Sequence, residues 1–233
     1  MPPSTVEMLE RWNYTALKIP KCQSLSEPVS CHPDMLFSVL GERRVLTDRV
    51  YFESNTAFFD RLIGYGVEVS ISQGCLSEKY PCDILFDAIK TDSLLVGNLK
   101  FTAPELFVQG VKTVNVKQGY ALCSTLLLDG AAISADAGIC KTLSENGYDI
   151  LKITPGDIQL PGYGCGFVGG ASAVLSEERV VVFFGDVYSH KDGEKIVAFC
   201  EKHGYKVCQD KVLPLTDYGG VKVFDVFDKL KTE

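Results

Sequence analysis

The chain has 233 residues, 46% of them hydrophobic, which is enough to bury a sizeable core in one large domain or two small ones. Its 23 basic residues are outnumbered by 30 acidic ones, a net charge of -7, and this argues against nucleic acid, whose binding rests on clustered Lys and Arg. Nine cysteines make an odd count without a CxxC pair, and the three histidines are far apart, so the cysteines read as reduced and neither a metal nor a cofactor is implied.

In chain order, the first twenty residues carry Glu7, Glu10 and Arg11, which suits neither a signal-peptide core nor a membrane anchor, so no membrane partner and a cytoplasmic location are expected. Tyr14 to Ile19 has strand-like composition. From residue 31 onward three landmarks recur in step. In the first repeat, about 31–72, a short apolar run opens on Asp34 (Asp34-Met-Leu-Phe). A strand then ends in Asp48, a helix is expected over about 54–64, and Gly66-Val-Glu-Val returns as a strand.

The second repeat, about 80–117, has Asp83-Ile-Leu-Phe, a strand ending in Asn98, a short helix near Pro104 to Gln109, and Gly110-Val-Lys-Thr. The third, about 120–154, has Thr125-Leu-Leu-Leu, Asp136, a helix over 137–146, and Gly147-Tyr-Asp-Ile. The fourth, about 166–209, has Ser172-Ala-Val-Leu, Asp186, a helix over 192–203, and Gly204-Tyr-Lys-Val. Asp and Asn cap the helix that follows them, and glycine ends a helix at no steric cost. Each unit reads strand, strand, helix, strand, and one unit cannot bury its own strands. Val221 to Phe227 is again strand-like, so the two termini are expected to complete a fifth unit and close a ring. The expected fold is therefore a single α/β domain over 1–233, a propeller of ββαβ repeats with pseudo-fivefold symmetry.

In such a ring the first strands begin near the axis, so the polar residues there converge: Cys31, His32 and Asp34; Cys82 and Asp83; Cys123, Ser124 and Thr125; and Ser172. Cys123 is the candidate nucleophile, two units from His32, where a protonated imidazole would favour its thiolate. A small buried cysteine without chemistry is the plain alternative. His32-Pro-Asp34 puts an imidazole and a carboxylate on one face if it is a strand, an acid-base arrangement, and equally suits a surface turn. Asp83 and Asp217 are candidates to grip a cationic group through paired charge-assisted hydrogen bonds, although each residue also suits a turn or cap. His190 and His203 read as structural, flanking the last helix. Gly164 to Gly169 spells G-x-G-x-x-G, but no strand directly precedes it and a strand rather than a helix is expected to follow, so it reads as a loop and not a dinucleotide cradle.

The repeats, together with Val116-Lys-Gln-Gly-Tyr-Ala-Leu-Cys-Ser-Thr125 and Gly166-Phe-Val-Gly-Gly-Ala-Ser172, resemble a bacterial family assigned to the guanidino-group-modifying-enzyme, or pentein, fold. The resemblance covers roughly residues 28–221. It implies attack by a cysteine on a guanidinium carbon, proton movement by a histidine, and carboxylates that hold a small cationic guanidino or amidino ligand. His32-Pro-Asp34 resembles the His-x-Asp of those enzymes, and Cys123-Ser-Thr125 their Cys-x-Thr/Ser. One departure is that the enzymes carry cysteine in the last repeat after Gly-Gly, where Gly169-Gly-Ala-Ser172 offers serine. The resemblance thus implies either a hydrolase or transferase with Cys123, His32 and Asp34 as catalytic residues and Asp83, Thr125, Ser172 and Asp217 around the substrate, or a non-catalytic binding protein on the same ring.

Overall fold

A computed structural model describes residues 1–224. The chain opens with helix α1 (Pro3–Glu10) and reaches a single helical turn, α2 (Pro33–Leu36), before the first sheet. Four three-stranded sheets then follow one another along the chain. The first holds β1 (Phe37–Gly41), β2 (Arg44–Thr47) and β3 (Glu68–Ile71), with α3 (Arg49–Ser54) and α4 (Thr56–Gly64) between the last two strands. The second holds β4 (Ile89–Lys90), β5 (Leu94–Gly97) and β6 (Lys112–Asn115), with a 3-10 turn at Pro104–Leu106 in the helix position. The third holds β7 (Thr125–Leu128), β8 (Ala131–Ser134) and β9 (Asp149–Lys152) with α5 (Ala137–Glu145). The fourth holds β10 (Ser172–Leu175), β11 (Val180–Phe183) and β12 (Lys206–Gln209) with α6 (Gly193–Lys202). In every sheet the first two strands pair antiparallel and the third runs parallel to the second.

This pairing explains the sequence pattern. The middle strand is covered on both edges and faces, so β5, β8 and β11 are buried at every residue and read as unbroken apolar runs. Asp48 and Asp136 cap α3 and α5 by accepting the Tyr51 and Ile139 N–H, and Asp186 accepts that of Tyr188. The glycines that end each unit's crossover, Gly66, Gly110, Gly147 and Gly204, have φ between +78° and +89°, a left-handed turn repeated four times.

Apolar clusters lie between neighbouring units. One joins the first and second units around Phe37, Tyr51, Phe59, Leu95 and Leu106; another joins the second and third through Val96, Ala132 and Leu143; a third joins the third and fourth through Ile133, Phe183 and Ile196. The remaining cluster packs Leu9 of α1 and Val221 against Val180 and Val182 of the fourth unit, and Gly219 accepts the Asp34 N–H of the first. The terminal segments thus span the gap between the fourth and first units, and the four units surround a common centre. Among the described residues no helix is long and apolar enough to cross a membrane.

Four local expectations differ from the structure. Asp34-Met-Leu is a helical turn and not a strand, because Pro33 sits at the first helical position and pre-sets its φ, so β1 begins only at Phe37. Asp83 to Asp87 is a turn closed by Asp87 N–H onto the Ile84 carbonyl, so β4 begins at Ile89. Tyr14 to Ile19 carries no strand; Leu17 and Ile19 pack on the first core without a ladder partner. Of the expected strand Val221 to Phe227, residues 221–224 carry none and 225–227 lie outside the described residues.

Candidate functional site

Four acidic or thiol side chains from four parts of the chain meet at the centre. Asp34 comes from α2, Asp87 from the turn before β4, Cys123 from the approach to β7, and Asp217 from the segment after the fourth unit. One donor atom from each of Asp34, Asp87 and Cys123 lies within 4.8 Å of the others. Cys123 Sγ lies 3.5 Å from Asp217 Oδ2, and Asp217 Oδ1 is 3.8 Å from His32 Nδ1. All five residues are buried.

The backbone builds this arrangement. Asp87 Oδ1 accepts the N–H groups of Leu122 (2.7 Å) and Cys123 (3.0 Å), which fixes the Cys123 loop to the second unit. Asp217 accepts the N–H of Phe167 (2.8 Å) and of Gly219 (2.9 Å), one on each oxygen. The glycine-rich loop is the wall behind it: a Cβ on Gly166 or Gly170 would run into the Asp217 side chain. The G-x-G-x-x-G run therefore brings backbone close to a carboxylate, and it leads into a strand, β10, as its loop reading requires.

The electrostatics are those of a cluster rich in buried acids, on which the charge of Lys222 also acts. Both oxygens of Asp34 and the Oδ2 of Asp87 are buried with no hydrogen-bond partner. Such groups are costly unless something pairs with them. Burial, reinforced by Asp34, holds the Asp87 carboxyl well above the usual range, against the pull of the two N–H groups and of Lys222. Asp217 is pushed up to about 6 by burial and by Asp34, partly offset by His32 and its N–H donors. Burial raises the Cys123 thiol well above its ordinary value, and Asp34, Asp217 and Asp87 raise it further. The donor set of Asp34, Asp87 and Cys123 suits a thiophilic divalent ion as well as a planar organic cation, a cluster that sequence spacing conceals because its members come from three units.

A cavity of about 170 Å³ adjoins this cluster, lined by Asp34, Thr125, Ser172, Gly219, Gly220 and Lys222 among apolar residues of β7 and β10. A wider hollow of about 470 Å³ at the β1–β2 turn, between Gly41, Arg43, Arg44 and Glu68, holds no nucleophile.

Of the residues singled out by sequence, the structure brings Cys123, His32, Asp34 and Asp217 together. The carboxylate found near His32 is Asp217, at 3.8 Å, and not Asp34, because His32 precedes a helical turn and not a strand. Thr125 Oγ1 is buried beside the cavity without a partner, and Ser172 Oγ donates to the Val168 carbonyl (2.8 Å). Asp83 stands apart, accepting the Tyr120 hydroxyl at 2.6 Å, and Cys82 is exposed. At Cys123 burial and the carboxylates of Asp34, Asp217 and Asp87 push the thiol up, a direction opposite to the one expected from His32. His190 Nε2 bonds the Thr154 carbonyl and His203 pairs with Asp149, both outside the cluster. Sequence reasoning missed Asp87 and Lys222. A signal for Asp87 existed, since it lies two residues before β4 as Cys123 lies two before β7.

Residues 1–222 match the model of a family of unknown function (DUF6873), and the chain belongs to that family. No curated protein matches it in sequence. Among solved structures it is similar to the inosamine-phosphate amidinotransferase StrB1 from Streptomyces griseus, with a TM-score of 0.58 at 14% identity over 93% of this chain and 75% of that one. It is also similar to SxtG, an amidinotransferase from Microseira wollei in the saxitoxin biosynthetic pathway, with a TM-score of 0.52 at 14% identity over 91% of this chain and 77% of that one. At such identity the likeness is one of fold, and the fold is the pentein α/β propeller.

Proposed function

We propose that this protein acts on a guanidino or amidino carbon, as a hydrolase or transferase, with Cys123 as the nucleophile. The observation that carries this reading is the pair of unpartnered buried carboxylates, Asp34 and Asp87, held against a thiol. A planar amidinium presents N–H groups in the plane and an electrophilic carbon at its centre, so carboxylates that accept its N–H groups leave the carbon open to the sulfur.

The bound cation neutralises the field that keeps Cys123 protonated, so the thiol ionises only once its substrate is in place. Asp217 takes the thiol proton, and the sulfur forms a bond to the carbon. The tetrahedral adduct expels the amine, which leaves with a proton from the Asp217–His32 pair and gives a thiouronium on Cys123. Water or an acceptor amine then attacks that carbon, giving up a proton to the same pair, and the thiol is restored. The first case is hydrolysis and the second transfer.

The test is to incubate the protein with a panel of guanidino and amidino compounds, quench in acid, and map covalent mass by peptide mass spectrometry. A thiouronium on Cys123 that is absent from Cys123→Ser supports the reading. An adduct that persists in Cys123→Ser, or product formed without any need for Cys123, refutes it. A second reading, a ring that binds a cation without turnover, draws on the enclosed and protonated thiol. It predicts saturable binding that leaves Cys123 unmodified.

A further inference from the structure

Cys22 and Cys31 bracket a loop that folds back on itself. Val29 N–H donates to the Ser26 carbonyl and Ser30 N–H to that of Glu27, and Cys22 N–H closes the loop onto the Ser30 carbonyl at 2.8 Å. That bond leaves one N–Cα bond on the Cys22 side and one peptide unit on the Cys31 side between the two Cα atoms, so their separation cannot exceed about 7 Å. Disulfides usually span Cα separations of about 4.4–6.8 Å. Both thiols also act on one side chain: burial pushes the Tyr51 hydroxyl up, and Cys22 and then Cys31 push it further. Cys22 is buried in the core of the first unit, whereas Cys31 is partly exposed. Burial raises the Cys22 thiol, with Asp48 adding to it, while the N–H groups of Ser24 and Leu25 and the Ser24 hydroxyl pull it back. Neither cysteine takes part in the chemistry proposed for Cys123.

We propose that Cys22 and Cys31 are a dithiol that a low-molecular-weight disulfide oxidises to an intramolecular bridge, a redox-sensitive modification site independent of the amidine reading. The partly exposed Cys31 reacts first: its sulfur bonds to one sulfur of the oxidant, whose S–S bond breaks and releases one thiol. The Cys22 sulfur then bonds to Cys31 Sγ and expels the second thiol. Each cysteine proton ends on a released thiol, so two cysteines are oxidised, one small disulfide is reduced, and no further reactant is needed. The order of events follows from burial, since Cys22 is out of reach of an oxidant in solution yet lies at the closed end of the same loop as Cys31. The bridge sits directly before His32, whose ring lies 3.8 Å from Asp217 and whose Cβ leaves no room for a side chain at Gly219. A covalent tie at Cys31 therefore holds the backbone that sets the histidine's place, which links the redox state of the loop to the centre.

The experiment incubates the protein in buffers of graded reduced and oxidised glutathione, quenches in acid, caps free thiols with N-ethylmaleimide in denaturant and maps the tryptic peptides. Cleavage after Lys21 and Arg43 leaves both cysteines on one peptide, so the bridge reads as that peptide uncapped and about 2 Da light. The bridge is expected at ratios where the exposed Cys75, Cys82 and Cys165 are capped or carry glutathione. Cys22→Ala should trap glutathione on Cys31 and lengthen the life of that mixed disulfide at least about tenfold, because the neighbouring thiol that resolves it is gone. The inference is overturned if Cys22 and Cys31 stay free thiols at the ratio where the exposed cysteines carry glutathione. It is overturned equally if Cys31 of the unsubstituted protein keeps its glutathione. Both refutations are read on the unsubstituted protein, so they stand whether or not the variant folds, and neither bears on Cys123, which is tested by its own adduct.

Discussion

Replacing Asp34 by Asn should make Cys123 reactive. In the resting protein the thiol faces Asp34, Asp87 and Asp217, with burial adding to their effect. A full charge at 4.8 Å, the outer bound of the cluster, in a medium of effective dielectric about 20 is worth about 3.5 kcal/mol, which corresponds to roughly a few hundredfold in the thiolate population. The sign follows from the charge: removing an anion stabilises a second anion, so the thiolate fraction at a given pH rises. Nucleophilicity falls somewhat as a thiol becomes more acidic, so the alkylation rate should rise less, by at least about tenfold. The assay is timed exposure to iodoacetamide near neutral pH, with each cysteine followed by peptide mass spectrometry. Cys75, Cys82 and Cys165 are exposed and should react first in the unsubstituted protein, with Cys123 lagging. Access to Cys123 is the same in both proteins, so the ratio of its rates isolates the electrostatics. Equal Cys123 rates in the two proteins, or Cys123 reacting ahead of the exposed cysteines in the unsubstituted one, would refute the argument.

The same substitution should remove cation binding, read as the loss of a calorimetric titration with a guanidino compound, and unchanged affinity would take Asp34 out of the site. Asp217 must be ionised to take the thiol proton, and it is pushed up to about 6, so kcat/KM should be fully present above that pH and fall about tenfold per pH unit below it. An acid limb that begins near pH 4 would remove Asp217 from the proton path. Gly170→Ala places a methyl against Asp217 and should cost about 1–3 kcal/mol in urea unfolding together with most of the turnover; retained turnover would show that the carboxylate's position is not needed.

The repeat was legible because it is written in local chemistry. Capping acids, apolar middle strands and helix-ending glycines each specify their own segment, and the third and fourth units begin at Thr125 and Ser172 as their patterns demand. The first two units were misread at their starts because Asp34-Met-Leu-Phe and Asp83-Ile-Leu-Phe look alike as strings. Pro33 turns the former into helix, and a turn delays the latter until Ile89. That slip displaced the site by four residues, from Asp83 to Asp87. The state of Cys123 was not legible at all, since the sign of its shift depends on which charges crowd it in space. From the sequence His32 was its neighbour; in the structure Asp217 stands next to it and touches His32 on the other side.

The acidic centre is best understood as the place where this fold departs from its own economy. Elsewhere most buried acids are matched, one oxygen of Asp83 excepted: Asp48 and Asp136 cap helices, and Asp192 accepts from Lys195 and Thr154 and is held well below the usual carboxylate range. At the centre three groups meet: both oxygens of Asp34 lack a hydrogen bond, Asp87 keeps one oxygen unmatched, and Thr125 Oγ1 has no partner, although the charge of Lys222 acts on both acids. A chain selected for stability alone would replace Asp34, since an apolar or amide side chain there costs less. On the reading proposed above a ligand completes the site, and the groups left unsatisfied describe it: a cation that meets two carboxylates, beside a thiol that ionises when they are met. On that reading the field that raises the Cys123 thiol is the field the ligand must cancel, so binding and activation are one electrostatic event.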